Sequence, residues 1–180
     1  MSFKCITLAQ FVTIKEEIMA IEKEVIQLSN QLIKRRLTVC TAESCTGGLI
    51  AKSFTDVDGS SNWFESGFVT YSNDAKHKML GIDKQLIQAS GAVSQPVVIA
   101  MAEGAISNSS AKISIATTGI AGPAGGTKEK PVGMVWIAWA AKKYTTQSQC
   151  FYFDGDRESV RNQAASAAIA GCVKFIVKNA

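Results

Sequence analysis

A chain of 180 residues that is 47% hydrophobic and 19% charged can bury one substantial core and carries too little charge to stay disordered. Its net charge of +4 is mild, and its Lys and Arg residues are dispersed without interleaved aromatics, which speaks against a nucleic-acid partner. No apolar run reaches the roughly 20 residues of a membrane span, and the first residues lack the pattern of a secretion signal, so a cytoplasmic protein with no membrane association is expected.

Cys5, Cys40, Cys45, Cys150 and Cys172 are odd in number and contain no Cys-x-x-Cys pair, which fits reduced thiols better than a disulfide framework or a zinc site. His77 is the only histidine, so a multi-histidine metal centre within the chain is excluded.

Ile14, Ile18, Ile21, Val25, Leu28 and Leu32 alternate four and three apart, which predicts an amphipathic helix ending near Arg36. Its stripe either covers a sheet or, being narrow and heptad-like, meets a partner helix in a homodimer. "LTVCTA" then reads as a buried strand, Gly47 and Gly48 open a short helix to about Phe54, and "GFVTYS" reads as a second strand. "NDAKHKML" follows as a helix capped by Ser72 or Asn73, and a longer helix starts at Ser94 with Pro96 in its first turn. "KISIATTG" is a third strand running into the Gly-rich stretch "GIAGPAGGTKEKPVG". "MVWIAWAA" and "SQCFYFDG" pair as a hairpin about "KKYTTQ", and a last helix begins near Asp156. The expected fold is a three-layer α/β/α sandwich with a mixed, mostly parallel sheet. Residues 1–36 form a helical segment packed on a domain of residues 37–180. Ligands of such sheets bind beyond the carboxyl ends of the strands, which singles out the loops after Thr41, Ser72 and Thr118.

With one histidine, the base for a serine or cysteine nucleophile is either His77, which on a polar helix reads more readily as a surface residue, or a lysine, a recognised alternative. Lys76 falls in the first turn of its helix, where the helix dipole disfavours positive charge; an ordinary solvated lysine is the competing reading. Ser61, Tyr71 and Lys76 form a Ser-x9-Tyr-x4-Lys array in which Tyr71 relays a proton or orients the lysine. In "TAESCTGG", Cys45 at a strand-to-helix turn is a second nucleophile, or Ser44, Thr46, Gly47 and Gly48 bind a phosphate or carboxamide there. "TTGIAGPAGG", with Thr118, Gly119 and Gly122, brings backbone N–H groups to a ligand but is neither a Walker sequence nor a dinucleotide fingerprint. Arg157 and Arg161, four apart, make a phosphate clamp or a solvated face.

Together, "AESCTGG", "GSSNWFESGFVTYSNDAKHKMLGI", "GAVSQPV", "TTGIAGPAGGTKEKPVGMVW" and "GDRESVR" closely resemble the CinA carboxy-terminal domain family from about Leu37 to the end of the chain. The resemblance implies deamidation of nicotinamide mononucleotide by a stand-alone domain. It also implies Ser61 as nucleophile with Ser60 as the alternative beside it, Tyr71 and Lys76 assisting proton transfer, and Ser44 in the same pocket. On that basis Ser61 attacks the carboxamide, ammonia leaves, and water releases nicotinic acid mononucleotide without metal or cofactor; Arg157 and the Gly-rich loops hold the phosphate. The rivals are a Cys45-dependent amidase, with Lys76 or Glu43 assisting, and a non-catalytic nucleotide-binding module.

Overall fold

The computed structural model describes residues 8–179, with side chains from Lys15 onward; Cys5 and the side chain of Ile14 lie outside them. Helix α1 (Leu8–Arg35) leads to strand β1 (Val39–Glu43) and helix α2 (Leu49–Thr55). A single 3-10 turn over Ser60–Asn62 precedes β2 (Phe64–Val69), α3 (Asn73–Leu80), α4 (Lys84–Ser90) and α5 (Gln95–Ser107). Then come β3 (Ile113–Gly119), β4 (Met134–Ala141), β5 (Tyr144–Tyr152) and α6 (Arg157–Asn179).

The five strands form one sheet in the order β2-β1-β3-β4-β5. Both neighbours of β1 run parallel to it, while β4 is antiparallel to β3 and β5 to β4. Only β4 therefore runs against the common direction, and the sheet is mixed and mostly parallel. All five residues of β1 are buried, as expected for a strand covered on both faces.

Alternation along the strands divides the core in two. Val39, Ile113, Ile115, Val135, Ile137 and Trp139 face one layer, made by α1, α2 and α6 through Leu28, Leu32, Ile50, Phe54, Ile169 and Ile176. Cys40, Ala42, Ala116, Ala138 and Ala140 face the other, where Leu80, Ile87, Val98 and Met101 of α3, α4 and α5 pack. The small side chains on that face let α5 lie close to the sheet. These two helical layers and the sheet make the three-layer sandwich.

Several elements start where their local chemistry dictates. Ser72 caps α3 by accepting the Ala75 N–H at 3.0 Å, whereas Ser94 at the start of α5 donates instead to the Gly91 carbonyl at 2.8 Å. Three expectations shift. β2 lies earlier than "GFVTYS", because Thr70 already leaves the strand to donate its N–H to Glu43 and Ser72 is used as a cap. The hairpin turn is shorter than "KKYTTQ", since Ala141 pairs with Tyr144. Helix α4 was not expected: at seven residues it shows too few turns for a periodic signal. On α1, Ile21, Val25, Leu28 and Leu32 are buried as predicted, but Ile18 is 47% exposed.

One contact tests the packing directly. Trp139 donates its indole N–H to the Ala168 carbonyl at 2.7 Å and lies over Gly171, where a Cβ would fall 2.0 Å from the indole ring. Gly171→Ala should lower stability by about 1–3 kcal/mol through overpacking, despite the ~1 kcal/mol by which alanine favours a helix. Urea unfolding followed by tryptophan fluorescence measures it; an unchanged or raised midpoint would contradict the close packing.

Candidate active site

Because β1 and β2 are parallel, the loops that leave them emerge at the same end of the sheet. Beyond β1 the chain turns through Ser44–Gly48 before entering α2. This turn requires left-handed backbone at Gly47 (φ 61°) and Gly48 (φ 93°), which glycine adopts without steric cost. What fixes it is Glu43, a fully buried carboxylate. Its Oε2 accepts the N–H groups of Gly48 and Ile50 at 2.9 and 3.1 Å, and its Oε1 accepts that of Ala51 at 2.8 Å. The negative carboxylate thus occupies the positive end of the α2 dipole. Thr46, also fully buried, shares a hydroxyl hydrogen bond of 2.8 Å with Thr117 on β3, and the Ser44 N–H donates to the Thr117 carbonyl at 3.0 Å.

Beyond β2, Lys76 in the first turn of α3 folds back under the strand end and is only 1% exposed. Its Nζ lies 2.9 Å from Ser44 Oγ, 2.8 Å from the Thr70 carbonyl and 3.2 Å from the Tyr71 carbonyl. Burial lowers its pKa from the ordinary lysine value to about 8. A neutral amine has two N–H donors and one lone pair. Two backbone carbonyls take the donors, so the lone pair faces the Ser44 hydroxyl.

This pair opens into a cavity of about 270 Å³, lined also by Cys45, Tyr71, Ala92, Val93 and by Thr118–Gly122 of the Gly-rich loop, with Arg157 at the rim. The Thr118 hydroxyl donates to the Ala92 carbonyl at 2.8 Å. Arg157 donates to the Gly122 carbonyl at 2.7 Å and to the Tyr71 hydroxyl at 3.2 Å. Lys76 and Arg157 are the ionic groups of the lining apart from the weakly acidic Tyr71 and Cys45, which suits an anionic ligand.

The sequence-based assignments divide clearly. Ser44, Tyr71, Lys76, Thr118, Gly119, Gly122 and Arg157 come together around the cavity, while Thr46, Gly47 and Gly48 build the turn behind it. Ser61 and Ser60 do not join them. They precede β2, whose first residue pairs with Val39 and whose last pairs with Glu43, so they lie at the opposite end of the sheet from Lys76. Six extended residues carry the chain about 20 Å, far beyond proton transfer. The "GSSNWFE" segment instead packs: Trp63 and Phe64 stand edge-on to Phe54 at 5.2 and 5.4 Å.

Tyr71 also differs from expectation. Its backbone carbonyl, not its phenol, meets Lys76, and the ring is 62% exposed beside Arg157. Cys45 is buried, and its thiol is pushed up to about 12 by desolvation, which leaves almost no thiolate at neutral pH. Arg161 is no partner of Arg157 in a clamp; it donates to the Thr46 carbonyl at 2.8 Å and braces the turn. His77 bonds the Ile82 carbonyl at 2.8 Å through Nδ1, outside the cavity. Sequence reasoning missed the bracing roles of Glu43 and Thr117, neither of which stands in a pattern that distinguishes it from other strand residues. Among the described residues no cluster could hold a metal ion, no disulfide forms, and no helix is long and apolar enough to cross a membrane.

Comparison with known proteins found similar sequences and structures. Residues 18–176 match the sequence model of the CinA C-terminal domain. The chain is 50% identical over 154 residues to the nicotinamide-nucleotide amidohydrolase PncC of Escherichia coli K12, covering 82% of this chain and 92% of that protein. It is 51% identical over 140 residues to a CinA-like protein of Akkermansia muciniphila, covering 78% of this chain but only 34% of that longer protein. Among solved structures, the competence/damage inducible protein CihA from Agrobacterium tumefaciens has a TM-score of 0.84 at 40% identity, covering 87% of this chain and 95% of its own.

Holding Lys76 in this place has a stability cost with a definite sign. Its pKa falls from 10.5 unfolded to about 8 folded, so between those values the unfolded chain binds more protons and stability rises with pH. Below about 8 the full cost applies, on the order of 3 kcal/mol. Lys76→Met should therefore be more stable than the parent by about 1–3 kcal/mol at pH 7, part of the gain being offset by the two released carbonyls. The advantage should shrink as pH rises through that window. Denaturant unfolding at pH 7 and pH 10 measures both, and a variant less stable at pH 7 would contradict a destabilising charge.

Proposed function

Since the chain belongs to the CinA C-terminal domain family, we propose that it is an enzyme, a nicotinamide-nucleotide amidohydrolase that converts nicotinamide mononucleotide to nicotinic acid mononucleotide and ammonia. The observation that carries the reading is the 2.9 Å approach of Ser44 Oγ to the buried Lys76 Nζ, within a cavity whose rim carries Arg157. Half-identity to proteins named for this reaction supports the substrate.

The assignment of roles follows from the contacts. Neutral Lys76 takes the proton of Ser44, whose Oγ adds to the carboxamide carbon to give a tetrahedral oxyanion. The N–H groups of Ser44, Gly47, Gly48, Ile50 and Ala51 already have protein acceptors. Those of Cys45 and Thr46 face the Cys45 sulfur and donate to no oxygen among the described residues, and we assign the oxyanion to them. The Lys76 ammonium then passes its proton to the amide nitrogen, the C–N bond breaks, and ammonia leaves an ester on Ser44. Lys76, neutral again, takes a proton from water as it attacks the ester, and the acid and Ser44 are released. Arg157 holds the nucleotide phosphate with the help of N–H groups of the Gly-rich loop, and Tyr71 orients Arg157. Nothing in this sequence of steps calls for a metal or cofactor. The reading extends to a cytoplasmic enzyme working as a homodimer.

Ammonia release from nicotinamide mononucleotide tests it. Ser44→Ala and Lys76→Ala should each lower kcat by roughly 10³-fold or more, while Ser61→Ala and a Cys45→Ala variant should keep most of the activity. Loss in Ser61→Ala with retention in Ser44→Ala would overturn the dyad. A protein that binds the nucleotide but releases no ammonia would be the binding module.

The pH dependence is a separate check. Because the base is the unprotonated lysine, kcat/KM should rise with pH and level off above an apparent pKa of about 8. A profile flat from pH 6 to pH 9 would remove Lys76 from the role of base.

A further inference from the structure

The outer face of α1 carries an apolar seam that no described element covers. Met19, Ile26 and Ile33 are 57%, 54% and 56% exposed and stand seven residues apart, while Ile21, Val25, Leu28 and Leu32 on the inner face are buried. A seven-residue repeat drifts only ~20° per step on a straight helix, so the three side chains form one line about 21 Å long at 1.5 Å per residue. Ile26 and Ile18 also border a groove of about 380 Å³ that reaches Leu49 and Val57 beside α2, which widens the apolar strip. Large apolar side chains aligned and more than half exposed mark an interaction surface.

The charge along the same helix says what covers it. Residues 15–24 hold Glu16, Glu22 and Glu24 against Lys15 and Lys23, with Glu17 turned inward to accept from Ser159 and Asn162 of α6, whereas residues 25–36 hold Lys34, Arg35 and Arg36 and no acid. The stretch from residue 16 to residue 36, net negative in its first half and positive in its second, is complementary to itself turned end over end. A two-fold axis through Ile26 sets Met19 of each copy against Ile33 of the other and Glu16 near Arg36; a parallel pairing would bring the three basic residues of both copies together. Such self-complementarity is what an isologous interface requires.

We propose that α1 is the interface of an antiparallel homodimer, with Met19, Ile26 and Ile33 as its seam and Ile26 on the two-fold axis. This rests on the homodimer named above and goes beyond it by assigning the surface and its polarity. The active-site cavity, whose lining includes no residue of α1, stays open in such a pair.

Light scattering on the full chain during gel filtration, together with cysteine cross-linking, tests it. The parent should have the mass of two chains, and Ile26→Glu, with its helical circular dichroism retained, should weaken association by roughly 100-fold or more. In a Cys5→Ser, Cys150→Ser background, Ile26→Cys should oxidise to an interchain disulfide. Met19→Cys mixed with Ile33→Cys should also cross-link, whereas Ile33→Cys alone should not. A monomeric parent overturns both the homodimer and this surface. A dimer unaffected by Ile26→Glu overturns the surface alone, and self-cross-linking of Ile33→Cys overturns the antiparallel arrangement.

Discussion

The Glu43 carboxylate is the constraint on which the site depends. Among the described residues it has no cationic partner; it accepts from three N–H groups at the start of α2 and, at 3.3 Å, from the Thr41 hydroxyl. A buried carboxylate is tolerable only when its lone pairs are filled this completely. By tying the end of β1 to the start of α2, it holds the intervening turn in one shape. Within that turn Ser44 points at Lys76, and the Cys45 and Thr46 amides stay free of protein oxygen acceptors. A helix dipole and a carboxylate, both structural devices, thereby set the direction of the Ser44 hydroxyl.

The second determinant is the parallel pairing of β1 with β2. It delivers two loops, 32 residues apart in the chain at Ser44 and Lys76, to one end of the sheet. It also carries Ser61, only 15 residues before Lys76, to the other end. Closeness in sequence is a poor guide whenever an extended strand intervenes, and this is why the Ser-x9-Tyr-x4-Lys spacing joined to Lys76 a serine that the sheet carries away from it. The architecture itself was legible because it follows from alternation of apolar strands and capped helices, which are local signals. The burial of Lys76 was not. "NDAKHK" is polar apart from Ala75, and only the meeting of α3 with the end of β2 encloses that one side chain. Glu43 and Thr117 were illegible in the same way, since each acts through partners supplied by another element. Arg157 and Arg161 show the limit of periodicity: four apart on α6, they bond different walls of the site, one to Gly122 and Tyr71 and the other to Thr46.

The two helical layers divide the work. The layer of α3, α4 and α5, packed on the alanine-rich face of the sheet, presents Lys76 and the Ala92–Val93 wall. The layer of α1, α2 and α6 presents the Ser44 turn and Arg157. The cavity therefore sits where both layers meet the strand ends, and each face of the sandwich contributes one half of the Ser44–Lys76 pair.

Cys45, the residue next to Ser44, has a consequence in redox terms. Its sulfur lines the cavity yet is held as a buried thiol with a pKa pushed up to about 12. Peroxides and disulfides react with thiolates, and a thiol so poorly ionised reacts slowly. The Ser44 hydroxyl next to it offers oxidants no target at all. The pocket thus carries a sulfur without the oxidative vulnerability of a thiolate, and that sulfur is insulated from shifts in the thiol poise of its surroundings.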